Sequence, residues 1–127
     1  SLKLKEVSYI PSEGYPAGEL KHGTLALIDE TAVAVVVITS ERLAGKSENA
    51  VEQVLSRKGK VAVVTSLESV AKKLKDRAEI VKICDCGEYL SPLISSVALQ
   101  LIAYKTAVML GRDPDKPRNL AKSVTVE

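Results

Sequence analysis

The sequence predicts an α/β fold built on a parallel sheet. Short β-branched runs alternate with amphipathic stretches through the middle of the chain. One of them, TAVAVVVIT at 31–39, is continuously apolar, which is the mark of a strand covered on both faces. KVAVVTS at 60–66 and EIVKIC at 79–84 look like its partners. Strand–helix–strand units of this length imply parallel pairing with right-handed crossovers.

The first element is a helix over LKLKEVSYI (2–10), with Leu4 and Val7 on one face and Lys3 and Glu6 three apart on an adjoining one. Nothing precedes it, whereas a doubly wound domain opens with a strand, so the chain reads as starting mid-unit, a piece of something larger. GELKHG (18–23) follows as a loop carrying the single histidine. After the strand at 31–39, Ser47 is expected to open a helix that turns Val51, Val54 and Leu55 inward, with Gly59 closing it. Ser66 is expected to cap the next helix, with Val70, Ala71 and Leu74 on one face and Lys72, Lys73 and Lys75 toward solvent.

The longest helix runs from about Ser91 to Gly111, with Ser91 as cap, Pro92 at the first helical position and Gly111 as the stop. Ile94, Val97, Ala98, Leu101, Ile102 and Val108 cover more than one face, so burial on two sides is expected, as in a central or subunit-interface helix. Ser95, Ser96, Gln100, Tyr104 and Lys105 weigh against a membrane span. Residues 1–112 thus form the folded part, and 113–127 a tail with no hydrophobic period of its own.

Composition narrows the function classes. At 127 residues and 46% hydrophobic, the chain is long enough for one domain with an aliphatic core. Eighteen Lys and Arg against 16 Asp and Glu give +2, so no charge excess points to nucleic acid or an anionic membrane. With no Phe or Trp there is no stacking platform for bases. Cys84 and Cys86 are read as small, buried, reduced residues at a strand end; one such pair is a weak metal signal, so no metal and no cofactor are expected. Two cysteines make no disulfide framework, and no secretory signal is visible, which places the chain in the cytoplasm.

Four residues stand out chemically. Histidine is the side chain whose unperturbed pKa lies nearest neutrality, so His22 suits proton shuttling, and its flanking glycines let backbone approach a ligand. Glu6 could be a general base, or simply the partner of Lys3 in an ion pair. Lys122 could attack a carbonyl if its amine were deprotonated. On composition and spacing alone, the reading ends at a parallel α/β domain.

Three strings carry further information: LKLKEVSYI, EGYPAGELKHGTLALID (13–29) and PRNLAKSVTVE (117–127). Together they resemble the carboxyl-terminal sugar-isomerase (SIS) half of the glutamine–fructose-6-phosphate aminotransferases. The resemblance implies a SIS-type parallel sheet flanked by helices, three-layered and flavodoxin-like, lacking its opening strand and ending in an active-site tail. Residues 1–112 would be the second SIS subdomain and 113–127 the catalytic tail. That family joins glutamine-derived ammonia to fructose 6-phosphate and isomerises the product to glucosamine 6-phosphate.

The family's Schiff-base lysine falls on Lys122, its proton-transferring glutamate on Glu6, its ring-opening histidine on His22 and a further active-site lysine on Lys3. The resemblance also implies a homodimer in which His22 serves the neighbouring subunit, and a glutaminase domain and first SIS half elsewhere in the full enzyme. The family usually has Pro after ELKHG, where this sequence has Thr24. The competing reading is a non-catalytic module that binds sugar phosphates.

Overall fold

The computed structural model describes residues 1–120, so the expectation for Lys122 falls outside the described residues. The chain divides into two compact units, Tyr15–Ala98 and a second made of Ser1–Gly14 with the chain from Leu99 on.

In the unit Tyr15–Ala98, strands β1 (Val33–Ile38), β2 (Lys60–Thr65) and β3 (Glu79–Lys82) form a parallel sheet in the order β1-β2-β3. The register sets Val36 beside Val63 and Val63 beside Ile80. β-Branched residues fill these strands because their stiff side chains pack well on a pleated surface. Helices α2 (Glu41–Leu55) and α3 (Glu68–Leu74) cover one face of the sheet. Val51, Val54, Val70 and Leu74 close over Ile38, Val61 and Val63 there, each at most 5% exposed. Burying each such side chain contributes about 1.5–3 kcal/mol, which makes this cluster the main source of stability in the unit.

Several local expectations shift. β1 is not covered on both faces, since Val33, Val35 and Val37 are exposed on the side opposite the core while Ala34 and Val36 pack against it. Continuous apolarity marks a strand as suited to two-sided burial without supplying the second cover. Ser47 does not open α2, which starts at Glu41 with Ser40 in the cap position, and Ser47 lies inside it.

Nor does Gly59 supply the left-handed stop of α2. Lys58 takes it at φ 65°, with its N–H on the Leu55 carbonyl at 2.9 Å and the Gly59 N–H on the Val54 carbonyl at 3.1 Å, which is a Schellman closure. Gly59 is needed for another reason: a Cβ there would lie 2.7 Å from Val54 Cγ1 and 2.9 Å from Ile28 Cγ2.

Ser66 is also displaced from its expected role. Leu67 occupies the cap position of α3, and the buried Thr65 hydroxyl accepts the Leu67 N–H at 3.0 Å while donating to the Ile38 carbonyl at 2.6 Å. Thr65 thereby ties the end of β1 to the start of α3. The cysteines are not buried: β3 ends at Lys82, and the loop beyond it leaves Cys84 exposed and Cys86 half-buried. Burial and the neighbouring Cys84 and Asp85 raise the Cys86 thiol above its ordinary pKa.

Helix α4 (Ser91–Met109) ends as the sequence predicts, but Ser91 is its first residue and not its cap: the Leu90 carbonyl takes the Leu93 and Ile94 N–H groups, and the Ser91 hydroxyl donates back to the Glu88 carbonyl at 3.0 Å. Gly111 sits at φ 67°, and the Arg112 N–H reaches the Ala107 carbonyl at 2.8 Å. Within this chain the burial of α4 is one-sided. The buried residues are small (Ser91, Ser95, Ala98, Ala103 and Ala107), whereas Leu93, Val97, Leu101, Tyr104, Val108 and Met109 are exposed. Small side chains permit close approach on one face only, and the large ones are left facing outward. By length and apolarity α4 is long enough to cross a bilayer.

Candidate functional site

Helix α1 (Leu2–Ser8) gives Lys3 and Glu6 the i,i+3 spacing that brings them together: Lys3 Nζ donates to Glu6 Oε2 at 2.7 Å. Glu6 keeps only 25% of its side-chain exposure, whereas Lys3 keeps 63%, so the carboxylate is the partly sheltered member of the pair. The Ser8 hydroxyl donates to the Leu4 carbonyl at 2.6 Å, and the helix ends one residue later at Tyr9.

Tyr9 is unusual. It is a bulky residue in the left-handed region, φ 62° and ψ 17°, which costs roughly 1–2 kcal/mol for a side chain with a Cβ. The contacts around it offset that strain. Its N–H reaches the Lys5 carbonyl at 3.0 Å, and its hydroxyl accepts the Arg118 backbone N–H at 2.9 Å. The Arg118 guanidinium lies 4.2 Å from the ring centroid and that of Arg112 lies 5.2 Å from it, both within cation–π range.

These contacts frame an open cleft of about 360 Å³, lined by Lys5, Glu6 and Tyr9 from the start of the chain and by Arg118, Asn119 and Leu120 from its far end. One wall thus carries a carboxylate, and the other consists of the residues just before Lys122. Asn119 adopts φ 61°, a left-handed value that asparagine tolerates better than most residues, and so turns the chain at the cleft.

His22 belongs to the unit Tyr15–Ala98. Two short 3₁₀ turns, Ala17–Glu19 and Thr24–Leu27, flank it. Its Nδ1 is 2.8 Å from Glu19 Oε2, and both side chains are largely exposed. A carboxylate on Nδ1 favours the tautomer that carries its proton there, leaving Nε2 available for proton exchange. Gly23, at φ 129°, makes a bend that a side chain would strain. Thr24 stands at the first position of a 3₁₀ turn, where proline and threonine both fit because the N–H has no partner within the turn.

The structure therefore brings Lys3 and Glu6 together, sets His22 beside Glu19, and places residues 118–120 at the Glu6 cleft. Sequence reasoning missed Glu19, although the ELKH spacing of three carried the signal. It also missed Tyr9 and Arg118, whose contact joins positions 109 apart and leaves no local period to read.

Comparison with known proteins gives the family. The SIS-domain model matches residues 1–110. The chain belongs to the SIS-domain family. Since that SIS match runs through residue 110, it takes in α4 whole, which gives this apolar helix a place inside a domain.

The chain is 46% identical over all its 127 residues to the glutamine–fructose-6-phosphate aminotransferase (isomerizing) of Brucella abortus, and 46% identical to one from Rhizobium meliloti. In both cases it spans 21% of the relative's length, about a fifth. Among solved structures it is similar to the C-terminal domain of glucosamine–fructose-6-phosphate aminotransferase from Francisella tularensis. There the TM-score is 0.78 and the identity 34%, over 91% of this chain and 32% of that one. A small parallel sheet flanked by helices is the fold of this SIS domain, as the sequence predicts.

Proposed function

We propose that this SIS domain is the isomerase part of a glutamine–fructose-6-phosphate aminotransferase, acting within a longer, homodimeric enzyme that also carries a glutaminase domain and a first SIS half. The observation that carries the reading is the cleft lined both by Glu6 and by Arg118, Asn119 and Leu120. Lys122 follows Leu120 by two residues, and a two-residue step of chain reaches at most about 7 Å. The 46% identity along the whole chain, tail included, supports the same assignment.

In this reading His22, oriented by Glu19, moves the protons that open the fructose 6-phosphate ring. The Lys122 amine then attacks the carbon 2 carbonyl, and water leaves as the imine forms. Ammonia replaces the lysine at carbon 2. Glu6 takes a proton from carbon 1 and returns it to carbon 2, while the carbon 1 hydroxyl gives up its proton and becomes the aldehyde of glucosamine 6-phosphate. No net oxidation occurs. Lys3 Nζ donates to Glu6 Oε2 at 2.7 Å, which holds the carboxylate in place for this step.

The test is reductive trapping. Borohydride added to the full-length enzyme with fructose 6-phosphate should fix the sugar on Lys122, and Lys122→Arg should abolish the adduct because a guanidinium stays protonated. An adduct on another lysine would overturn the assignment.

A further inference from the structure

We infer that Tyr9 is a positioning residue for the reaction, a latch that fixes the root of the C-terminal tail against the helix bearing Glu6. Its consequence for the imine step rests on the function proposed above; the latch itself does not. Tyr9 immediately follows α1 and holds a left-handed backbone that glycine or asparagine would hold more easily. What tyrosine adds is a ring and a hydroxyl, and both are used on the same distant segment. The hydroxyl accepts the Arg118 N–H at 2.9 Å, while the ring receives the Arg118 guanidinium at 4.2 Å and that of Arg112 at 5.2 Å.

Arg112 lies just past the Gly111 stop of α4, and Arg118 lies six residues later, so the ring engages both ends of the segment that leads to the cleft. Glu6 is three residues before Tyr9, and Leu120, in the opposite wall of the cleft, is two after Arg118. One aromatic side chain thus sets the spacing between the wall that carries the proposed base and the wall that leads to the proposed nucleophile. Two exposed cation–π contacts and one hydrogen bond together correspond to roughly a ten- to hundredfold bias toward the latched arrangement.

The experiment uses the full-length enzyme as wild type, Tyr9→Phe, Tyr9→Leu and Arg118→Met, and takes two readouts. The first is the rate of tryptic cleavage after Arg112 in all four proteins, which reports the latch whatever the chemistry. Tyr9→Leu and Arg118→Met should be cut about tenfold faster or more, and Tyr9→Phe, which keeps the ring, should fall between them and wild type. The second is the rate of borohydride trapping at saturating fructose 6-phosphate. It should drop by about tenfold or more in Tyr9→Leu and Arg118→Met with little change in KM, and Tyr9→Phe should recover most of it.

Cleavage at the wild-type rate in both Tyr9→Leu and Arg118→Met would overturn the latch. Faster cleavage with unchanged trapping would overturn its role in the reaction. Trapping on a lysine other than Lys122 in the wild type would instead sink the proposed function, with the latch still decided by cleavage. If Tyr9→Leu fails to fold, Arg118→Met, which leaves α1 untouched, decides both points.

Discussion

Replacing Glu6 with glutamine separates a structural carboxylate from one that moves protons. The side chain keeps its size and can still accept a hydrogen bond from Lys3, so the perturbation removes charge and basicity only. The Lys3–Glu6 pair is an i,i+3 contact at 2.7 Å whose lysine is 63% exposed. Pairs of this kind contribute about 0.2–0.5 kcal/mol, screened further by salt. Against a typical stability of about 5–15 kcal/mol, that is a few per cent, so thermal unfolding should move little.

The catalytic consequence has another scale. A positioned general base contributes about two to four orders of magnitude. At about 1.36 kcal/mol per tenfold, this adds roughly 2.7–5.4 kcal/mol to the barrier. Turnover of fructose 6-phosphate by full-length Glu6→Gln should fall accordingly, and exchange of the carbon 1 hydrogen with deuterated solvent should vanish. Imine trapping at Lys122 should persist, since that step does not need this carboxylate. A variant with near-normal isomerisation and only a small loss of stability would refute the reasoning and leave Glu6 as an ion-pair partner.

Two further predictions concern the frame of the central unit. Gly59→Ala should destabilise the protein by about 1–3 kcal/mol in urea unfolding, because the new Cβ meets Val54 Cγ1 at 2.7 Å, and adding Val54→Ala should cost less than the sum of the two changes; simple additivity would show that the contact relaxes freely. Asp29 accepts from the Thr31 hydroxyl at 2.7 Å and from the Thr31 and Ala32 N–H groups at 2.8 and 3.1 Å, and these bonds, the hydroxyl first, hold its pKa below the ordinary carboxylate value. A depressed folded-state pKa gives stability that is full above the unfolded value and lost as pH falls through the folded one. Thr31→Val should therefore raise the Asp29 titration midpoint seen by NMR and shrink that acid-side loss, and an unmoved midpoint would show that the hydroxyl bond is not the main cause.

Legibility in the sequence followed the range of each interaction. The strands at 33–38, 60–65 and 79–82 could be read because β-branched runs encode them residue by residue. The Gly111 stop could be read because a left-handed closure asks for glycine locally. Helix starts were less legible: α2 begins six residues before Ser47, and α3 has no side-chain cap from Ser66, the Thr65 hydroxyl instead holding the Leu67 N–H just before the helix, since more than one hydroxyl stands near each start and only the packed backbone selects among them. The Lys3–Glu6 pair was visible as spacing, and the partner of His22 was equally available at Glu19.

By itself, then, the sequence determined what is local or periodic: an α/β chain of parallel strands, one long apolar helix, and the strings around Glu6, His22 and Lys122 that gave the family. Tertiary structure decided what depends on chain ends meeting. No period in residues 1–14 announces that Tyr9 would take the Arg118 N–H, 109 positions away, or that Glu6 and Leu120 would line one cleft. It also decided which side of each apolar element is covered, leaving Val33, Val35 and Val37 of β1 and the large side chains of α4 exposed. The physical reason is that hydrophobicity is a property of the residue, whereas burial requires a neighbour, and the order of residues does not say where the neighbour will be.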